Sequence, residues 1–210
     1  MSTAALEALR HPGVNLGSKH GEAHERAEGV VFGFWVYMMS DLIIFGLLFA
    51  TYVTMIDATA GGPGPGELFH LGSAFAQTML LLMSSFSIGM ACLAMKYRSD
   101  TKRLFTWLAV TLLLGAGFLV LEMRDLIGML AQGAGPARSG FLSAFFALVP
   151  LHGLHVAAGL LWLLVLVLQI AMFGLVHQVK TRILRLALFW HLLDVVWVGI
   201  FSVVYLGGLA

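Results

Sequence analysis

Five long apolar stretches, separated by short connectors, constrain this chain more than any other feature of its sequence. The stretches cover about 29–56, 71–96, 104–130, 141–176 and 181–207. About 20 apolar residues are enough for a helix to cross the hydrocarbon core of a bilayer. An open chain in lipid satisfies its backbone polar groups only as a helix. The sequence therefore predicts an all-α, polytopic membrane protein built as a bundle of five transmembrane helices.

The composition excludes a soluble domain and a nucleic-acid-binding protein. Only 11% of the 210 residues are charged, whereas soluble domains carry about 25% charged residues. The formal net charge of +1 provides no basic surface for nucleic acid. Residues 1–28 are polar and predict a cytoplasmic arm, and residues 29–210 predict one transmembrane domain. The short connectors predict that consecutive helices are antiparallel neighbours.

Lysine and arginine residues are distributed unevenly over the predicted connectors. The arm and the second and fourth connectors hold ten of the 12 lysine and arginine residues, and only Arg124 and Arg138 fall on the opposite side. Basic residues are enriched on the cytoplasmic side of membrane proteins. We therefore expect a cytoplasmic N-terminus and a periplasmic C-terminus, which agrees with an odd number of spans.

Six ionisable side chains lie deep within the predicted spans and are the candidate functional residues. They are Asp41, Glu122, His152, His155, His191 and Asp194. A charged group at this depth costs several kcal/mol unless it is paired or hydrated. We expect these groups to be buried and structural or to lie against lipid, with the histidines hydrogen-bonded to Glu122 or Asp194. No catalytic, cofactor-binding or metal-binding residue is assigned.

The residues alone leave other interpretations open. His152 and His155 share a helix face at a spacing that metal sites in helical bundles use, and His155 facing His191 would suit a b-type haem. Asp41 is either a proton-handling group or a carboxyl group buried against Ser40 and a neighbouring helix. The possible classes are a non-catalytic subunit of a complex, a small transporter or proton pathway, and a metal-dependent membrane enzyme. The sequence holds no HExxH, GxSxG or nucleotide motif, which favours the first class.

Three segments carry a resemblance to a known family. In chain order they read FGFWVYMMSDLIIFGLLFATYV, RSGFLSAFFALVPLHGLHVAAGLLW and RLALFWHLLDVVWVGIFSVVYL, with the glutamate of GAGFLVLEMRDLI between the first and the second. The chain resembles subunit III of the haem-copper terminal oxidases, and in particular the five-helix subunit III of bo-type ubiquinol oxidases. The resemblance covers most of residues 29–207.

The resemblance implies an accessory subunit of a proton-pumping ubiquinol oxidase in the aerobic respiratory chain of the bacterial inner membrane. It implies that subunits I and II carry the redox chemistry, that haems and copper belong to subunit I, and that no cofactor binds in this chain. The implied partners are subunits I, II and IV, with subunit I as the main contact, together with bound phospholipid. The implied role is to support assembly, lipid binding and sustained turnover.

The resemblance also defines two alternatives and one departure. Subunit III of a cytochrome c oxidase is the alternative within the family. A self-contained b-type cytochrome or a metal-binding membrane enzyme is the alternative from another class. The mid-membrane carboxylate of the family corresponds to Asp41, where mitochondrial-type members have a glutamate.

Overall fold

The structure, a computed structural model, describes residues 20–97 and 101–209, and all regular structure in these ranges is helical. The long helices are α1 (His20–Met55), α3 (Leu71–Tyr97), α4 (Thr101–Ala131), α5 (Gly140–Phe173) and α6 (His177–Ile200). The short elements are α2 (Pro65–Leu68), a π-helical segment (Phe201–Leu206) and α7 (Gly207–Leu209). The five long helices are long and apolar enough to cross a membrane. The predicted all-α bundle of five spans is confirmed.

Helix α5 shows how local sequence sets the ends of a span. The Ser139 hydroxyl accepts a hydrogen bond of 3.1 Å from the backbone N–H of Leu142, which satisfies one of the free donors of the first turn. Gly174, with φ of 71°, ends the helix in a conformation that glycine adopts without strain. The helix continues through Pro150. Its 34 residues span about 51 Å, well beyond the ~30 Å hydrocarbon core.

Helix α1 begins earlier than the apolar pattern suggests. It starts at His20, so residues 20–28 of the predicted polar arm are helical. The rest of that arm, residues 1–19, lies outside the described residues. Hydropathy marks where a helix enters lipid, whereas helical hydrogen bonding continues into the polar sequence before it.

The helices α3, α4, α5 and α6 form a closed ring, because each packs against the next and α6 packs against α3. Helix α1 lies outside this ring and packs against the adjoining α5 and α6. Consecutive helices are therefore neighbours within the ring. The expectation of neighbouring consecutive spans was wrong for α1, whose main contacts are with α5 and α6 and not with α3.

Two tryptophans of α6 fill the interior of the ring. The indole N–H of Trp190 donates to Ser84 Oγ at 2.9 Å, and that of Trp197 donates to Thr78 Oγ1 at 3.0 Å. A Cβ atom added at Gly115 would lie 3.0 Å from the Trp190 ring, as would one added at Gly159. Glycines on α4 and α5 thus leave the space that this indole occupies.

The two ends of the bundle differ in how they are built. The end that holds α2, α7 and the connector from 132 to 139 is called the α2 end. There the ring of Phe69 contacts the rings of Phe141, Phe145 and Tyr205. The opposite end, called the basic end, holds the first two turns of α4 and α6, which carry Lys102, Arg103, Lys180 and Arg182.

Polar clusters in the bundle as candidate functional sites

The six candidate side chains differ in burial. Glu122, His152 and Asp194 are buried, Asp41 and His155 are half-buried, and His191 is exposed. His191 is therefore the member of the six that faces the outer surface of the bundle. Hydropathy gives the depth of a residue along a span but not the side of the helix on which it lies.

Glu122 of α4 and His152 of α5 form the central pair, which lies inside the ring. Their exposed fractions are 2% and 0%. The His152 ring lies among the rings of Phe45, Phe118 and Trp197, with centroid distances of 6.3, 5.8 and 5.3 Å. Within the described residues, neither the two carboxyl oxygens nor the two ring nitrogens have a hydrogen-bond partner.

His155 lies one turn further along α5, on the side that α1 covers. Its ring contacts Phe45 of α1 at 5.3 Å and Phe189 of α6 at 6.4 Å. Its Nδ1–H donates to the backbone carbonyl of Leu151 at 2.8 Å. This donor is thus satisfied within its own helix.

A second group, the face cluster, opens on the outer surface between α3 and α6. Ser85 Oγ and His191 Nδ1 share a hydrogen bond of 2.7 Å. Asp194, one turn after His191, lies within electrostatic range of His191 and within hydrogen-bonding range of Ser85. His191 is exposed and Ser85 is half-buried, and both lie near the middle of their helices.

The predicted hydrogen bonds between the histidines and Glu122 or Asp194 were wrong. His155 bonds to a backbone carbonyl and His191 bonds to a serine. The carboxyl oxygens of Glu122 have no partner among the described residues. Serine hydroxyls and backbone carbonyls compete with carboxylates for imidazole groups, and a sequence pattern does not reveal which of them faces a given ring.

A third group, the rim cluster, lies where α3 and α4 reach the α2 end. Asp125 Oδ2 accepts hydrogen bonds from Ser73 Oγ at 2.5 Å and from Gln77 Nε2 at 2.8 Å. Arg124 Nη2 donates to Asp125 Oδ1 and to Ser73 Oγ, each at 3.2 Å. Arg124 and Asp125 also form an ion pair, with Nη2 3.2 Å from Oδ1.

The rim cluster borders a cavity of about 100 Å³, called the rim cavity. Its lining includes Arg124, Asp125, His70, Gln132 and Tyr205. A polar cavity of this size has room for several water molecules. The rim cavity therefore extends from the α2 end to Tyr205, whose ring is buried.

Asp41 lies on α1, the helix with the least buried span. Only 11% of the residues in the most apolar stretch of that span are buried. The carboxyl group of Asp41 is half-buried, and no hydrogen bond or ion pair joins it to another residue in the described part of the chain. Ser40, a predicted neighbour, instead donates to the carbonyl of Tyr37.

The described residues do not bring metal ligands together. No three histidine, cysteine, aspartate or glutamate side chains converge within the ranges that the structure describes. His155 faces α1 and α6, whereas His191 bonds to α3. The suggested haem arrangement, with His155 opposite His191, was therefore wrong.

Sequence reasoning missed several residues that build these clusters. The missed residues are Ser73, Gln77, Thr78, Ser84, Ser85 and Tyr205. Hydroxyl groups occur throughout apolar helices and often bond to their own backbone, as Thr51 does to Leu47. The signal that could have drawn attention to them is the run of polar residues along α3.

The chain is similar to proteins of known families. The chain matches the family model described as "Cytochrome c oxidase subunit III" over residues 13–209. It is 46% identical over 208 residues to cytochrome bo(3) ubiquinol oxidase subunit 3 of Pseudomonas aeruginosa, which covers 99% of each chain. It is 47% identical over 185 residues to the protein of that name from Pseudomonas putida, covering 88% of this chain and 89% of that one. It is 44% identical over 177 residues to cytochrome c oxidase subunit 3 of Bacillus sp. strain PS3, covering 84% and 85%.

Proposed function

We propose that this chain is subunit III of a bo-type ubiquinol oxidase and that it supports assembly, lipid binding and sustained turnover of the complex. The chain belongs to the cytochrome c oxidase subunit III family, and this membership is where the proposal starts. At the level of the family, it is an accessory subunit III of a haem-copper oxidase. It is a multi-pass protein of the bacterial inner membrane. The resemblance found in three sequence segments is confirmed.

The engagement of the polar side chains supports an accessory role. His155 bonds to the backbone, His191 bonds to Ser85, and the two interior indoles bond to hydroxyls of α3. The bonds of His191 and of the two indoles join α6 to α3, and that of His155 stays within α5, so none of these groups is aimed at a substrate. We infer that haems and copper lie in subunit I, and that subunits I and II carry the redox chemistry.

The face cluster is the observation that carries the role in assembly. His191 is exposed and its hydrogen-bond partner Ser85 is half-buried, near the middle of two membrane-spanning helices. Polar groups exposed to lipid at that depth are costly, so they face a partner or a water-filled space. We propose that subunit I covers this surface, since it is the main partner that the family implies, and that subunits II and IV complete the complex.

Helix α1 carries the proposed lipid-binding role. Its surface is the least buried of the five spans, and Asp41 has no partner among the described residues. Apolar side chains such as Phe32, Ile43 and Leu47 are exposed on the same helix. We propose that phospholipid and subunit I cover α1, with Asp41 at that contact.

The orientation of the bundle is part of the proposal. The basic end carries Lys102, Arg103, Lys180 and Arg182 in the first two turns of α4 and α6, and such residues are retained on the cytoplasmic side. The N-terminus is then cytoplasmic, and the C-terminus lies with the α2 end on the periplasmic side.

A cytochrome c oxidase is the second candidate within the family. It is favoured by the relative from Bacillus sp. strain PS3, which bears that name and is 44% identical to this chain. The ubiquinol branch is favoured by the relative from Pseudomonas aeruginosa, which matches 99% of both chains.

Affinity purification of the gently solubilised native complex through a tag on this chain tests the proposal. We expect haem- and copper-bearing subunits I and II and subunit IV to co-purify, with bound phospholipid and with oxygen consumption driven by ubiquinol. Oxygen consumption driven by cytochrome c alone would move the assignment to the second branch. A chain that purifies without haem-bearing partners would overturn the accessory role.

A further inference from the structure

The central pair of Glu122 and His152 is the part of the bundle that the proposed function leaves unused. The exposed fractions of the two side chains are 2% and 0%, and their four polar atoms have no hydrogen-bond partner within residues 20–97 and 101–209. Buried polar groups without partners destabilise a fold. A packed helix interface would be more stable with apolar side chains at both positions.

The geometry brings the two groups to the same level of the interface between α4 and α5. A Cβ atom added at Gly153, the residue after His152, would lie 2.6 Å from both carboxyl oxygens of Glu122. Phe118, one turn before Glu122 on α4, has its ring 5.8 Å from the His152 ring. Gly153 therefore leaves the space on α5 that the Glu122 carboxyl group occupies.

Tyr205 connects this level to the rim cavity. It lines that cavity and lies within electrostatic range of both Glu122 and Asp125. Its ring lies 6.2 Å from the ring of Trp197, which is itself 5.3 Å from that of His152. Tyr205 belongs to the π-helical segment, a local widening of the helix that is frequent at functional sites.

We propose that Glu122 and His152 form a proton-exchanging pair that binds water and is reached from the rim cavity past Tyr205. The proton of a neutral Glu122 carboxyl group passes through one water molecule to a ring nitrogen of His152, which leaves a carboxylate and an imidazolium. The reverse transfer restores the neutral pair. The step transfers no electron and requires no other reactant, and water from the rim cavity exchanges its protons with the pair.

Among the described residues, one polar route leads from the surface to the central pair. His155 of α5 lies within electrostatic range of His152, and Tyr205 of the π-helical segment lies within range of Glu122, Asp125 and Tyr52. Helices α3 and α6 present Thr78 and Trp197, which are hydrogen-bonded to each other and do not titrate. Of these groups, Asp125 and Tyr205 line the rim cavity. Tyr205 is therefore the link between that cavity and Glu122.

Infrared difference spectroscopy on the purified complex tests the proposal. The carbonyl band of a protonated carboxyl group is expected in the wild-type complex, lost in Glu122→Gln and shifted in His152→Gln. Transfer into D2O is expected to shift the wild-type band, and Tyr205→Phe is expected to slow that exchange by about a hundredfold, the lower range for a positioned proton-transfer group. Tyr37→Phe is the matched control, because Tyr37 is exposed on α1, and it is expected to exchange like the wild type.

Exchange at the same rate in Tyr205→Phe and in the wild type would overturn the route, and a Glu122 band insensitive to His152→Gln would overturn the pair. If Glu122→Gln fails to assemble, ¹³C-glutamate labelling of the wild-type and Tyr205→Phe complexes identifies the glutamate bands and gives the same comparison. The subunit composition that tests the proposed function is independent of either result.

Discussion

The ring of α3 to α6 and the outlying helix α1 use the same apolar composition in different ways. The ring encloses two tryptophans, hydroxyl groups that bind their indoles, and the central pair. Helix α1 contributes a few buried rings, such as Phe45 and Tyr52, and leaves most of its surface open. Asp41 has no partner among the described residues of the bundle.

The difference separates two roles within one chain. Most side chains in the ring interior find their contacts and hydrogen-bond partners within this chain, so the stability of the ring depends on packing inside the chain. The outer surface of α1 is covered by lipid or other subunits. Substitutions on that surface should therefore change the binding of those partners and lipids and leave the bundle intact. Substitutions in the two regions should therefore differ in both size and kind.

The largest expected effect is from Trp197→Ala. This change removes a buried ring that contacts Phe118 at 4.7 Å and a hydrogen bond to Thr78. A loss of about 3–5 kcal/mol in stability is expected, because truncation of a large buried ring leaves a cavity. Thermal unfolding of the purified complex, followed by release of this chain, measures it.

Trp35→Ala on α1 is the matched control for Trp197→Ala, since the side chain of Trp35 is 46% exposed. Its expected effect is about 0.5 kcal/mol or less, in the range of surface substitutions. Equal losses for the two tryptophans would remove the distinction between the ring and α1.

The next largest effect is expected from Gly153→Ala. The added Cβ atom would lie 2.6 Å from the Glu122 oxygens, and overpacking of this kind costs about 1–3 kcal/mol. Thermal unfolding of the single and double variants with Glu122→Ala should show coupling, because the smaller side chain relieves the clash. Gly128→Ala is the control, since a Cβ atom there meets nothing within 4 Å. Strict additivity of Gly153→Ala and Glu122→Ala would place the carboxyl group elsewhere.

A smaller effect is expected from His191→Leu in the face cluster. The change removes the hydrogen bond to Ser85 and one polar contact to a covering subunit, and a hydrogen bond contributes about 1 kcal/mol. We expect less subunit I to remain with this chain after detergent washing, as measured by stoichiometry. Leu168→Ala on the outer surface of α5 is the comparison, and it should retain subunit I as the wild type does. Full retention of subunit I in His191→Leu would place the covering subunit on another surface.

The smallest effect on the bundle is expected from Asp41→Asn. No contact within the described chain is lost, so the stability of the bundle should change by less than about 0.5 kcal/mol. Oxygen reduction should continue, while phospholipid retained per complex falls, as measured by lipid analysis. Loss of oxygen reduction in an intact complex would contradict the accessory role.

The number of spans and the all-helical class could be predicted because lipid allows few solutions. Runs of apolar residues in this chain, bounded by glycine, proline and charged connectors, form helices whatever their partners are. The ion pair of Arg124 with Asp125 was also predictable, since the two residues are adjacent in sequence. These features depend on local sequence and on depth in the membrane.

The arrangement of the helices and the pairing of their polar groups could not be predicted. Apolar composition is nearly uniform around α5, so no stripe identifies α1 as its neighbour. The partners of His191 and Trp197 are hydroxyl groups about 106 and 119 residues away in sequence. The π-helical segment that contains Tyr205 has no signal in the residues from Phe201 to Leu206.

We infer that the polar side chains of this chain serve structure and proton exchange, while the redox centres lie in other subunits. Metal analysis and an optical spectrum of this polypeptide purified by itself test that central claim most directly. We predict iron and copper far below one atom per chain and no haem absorption. Stoichiometric iron or copper, or a Soret band from the isolated chain, would contradict that assignment.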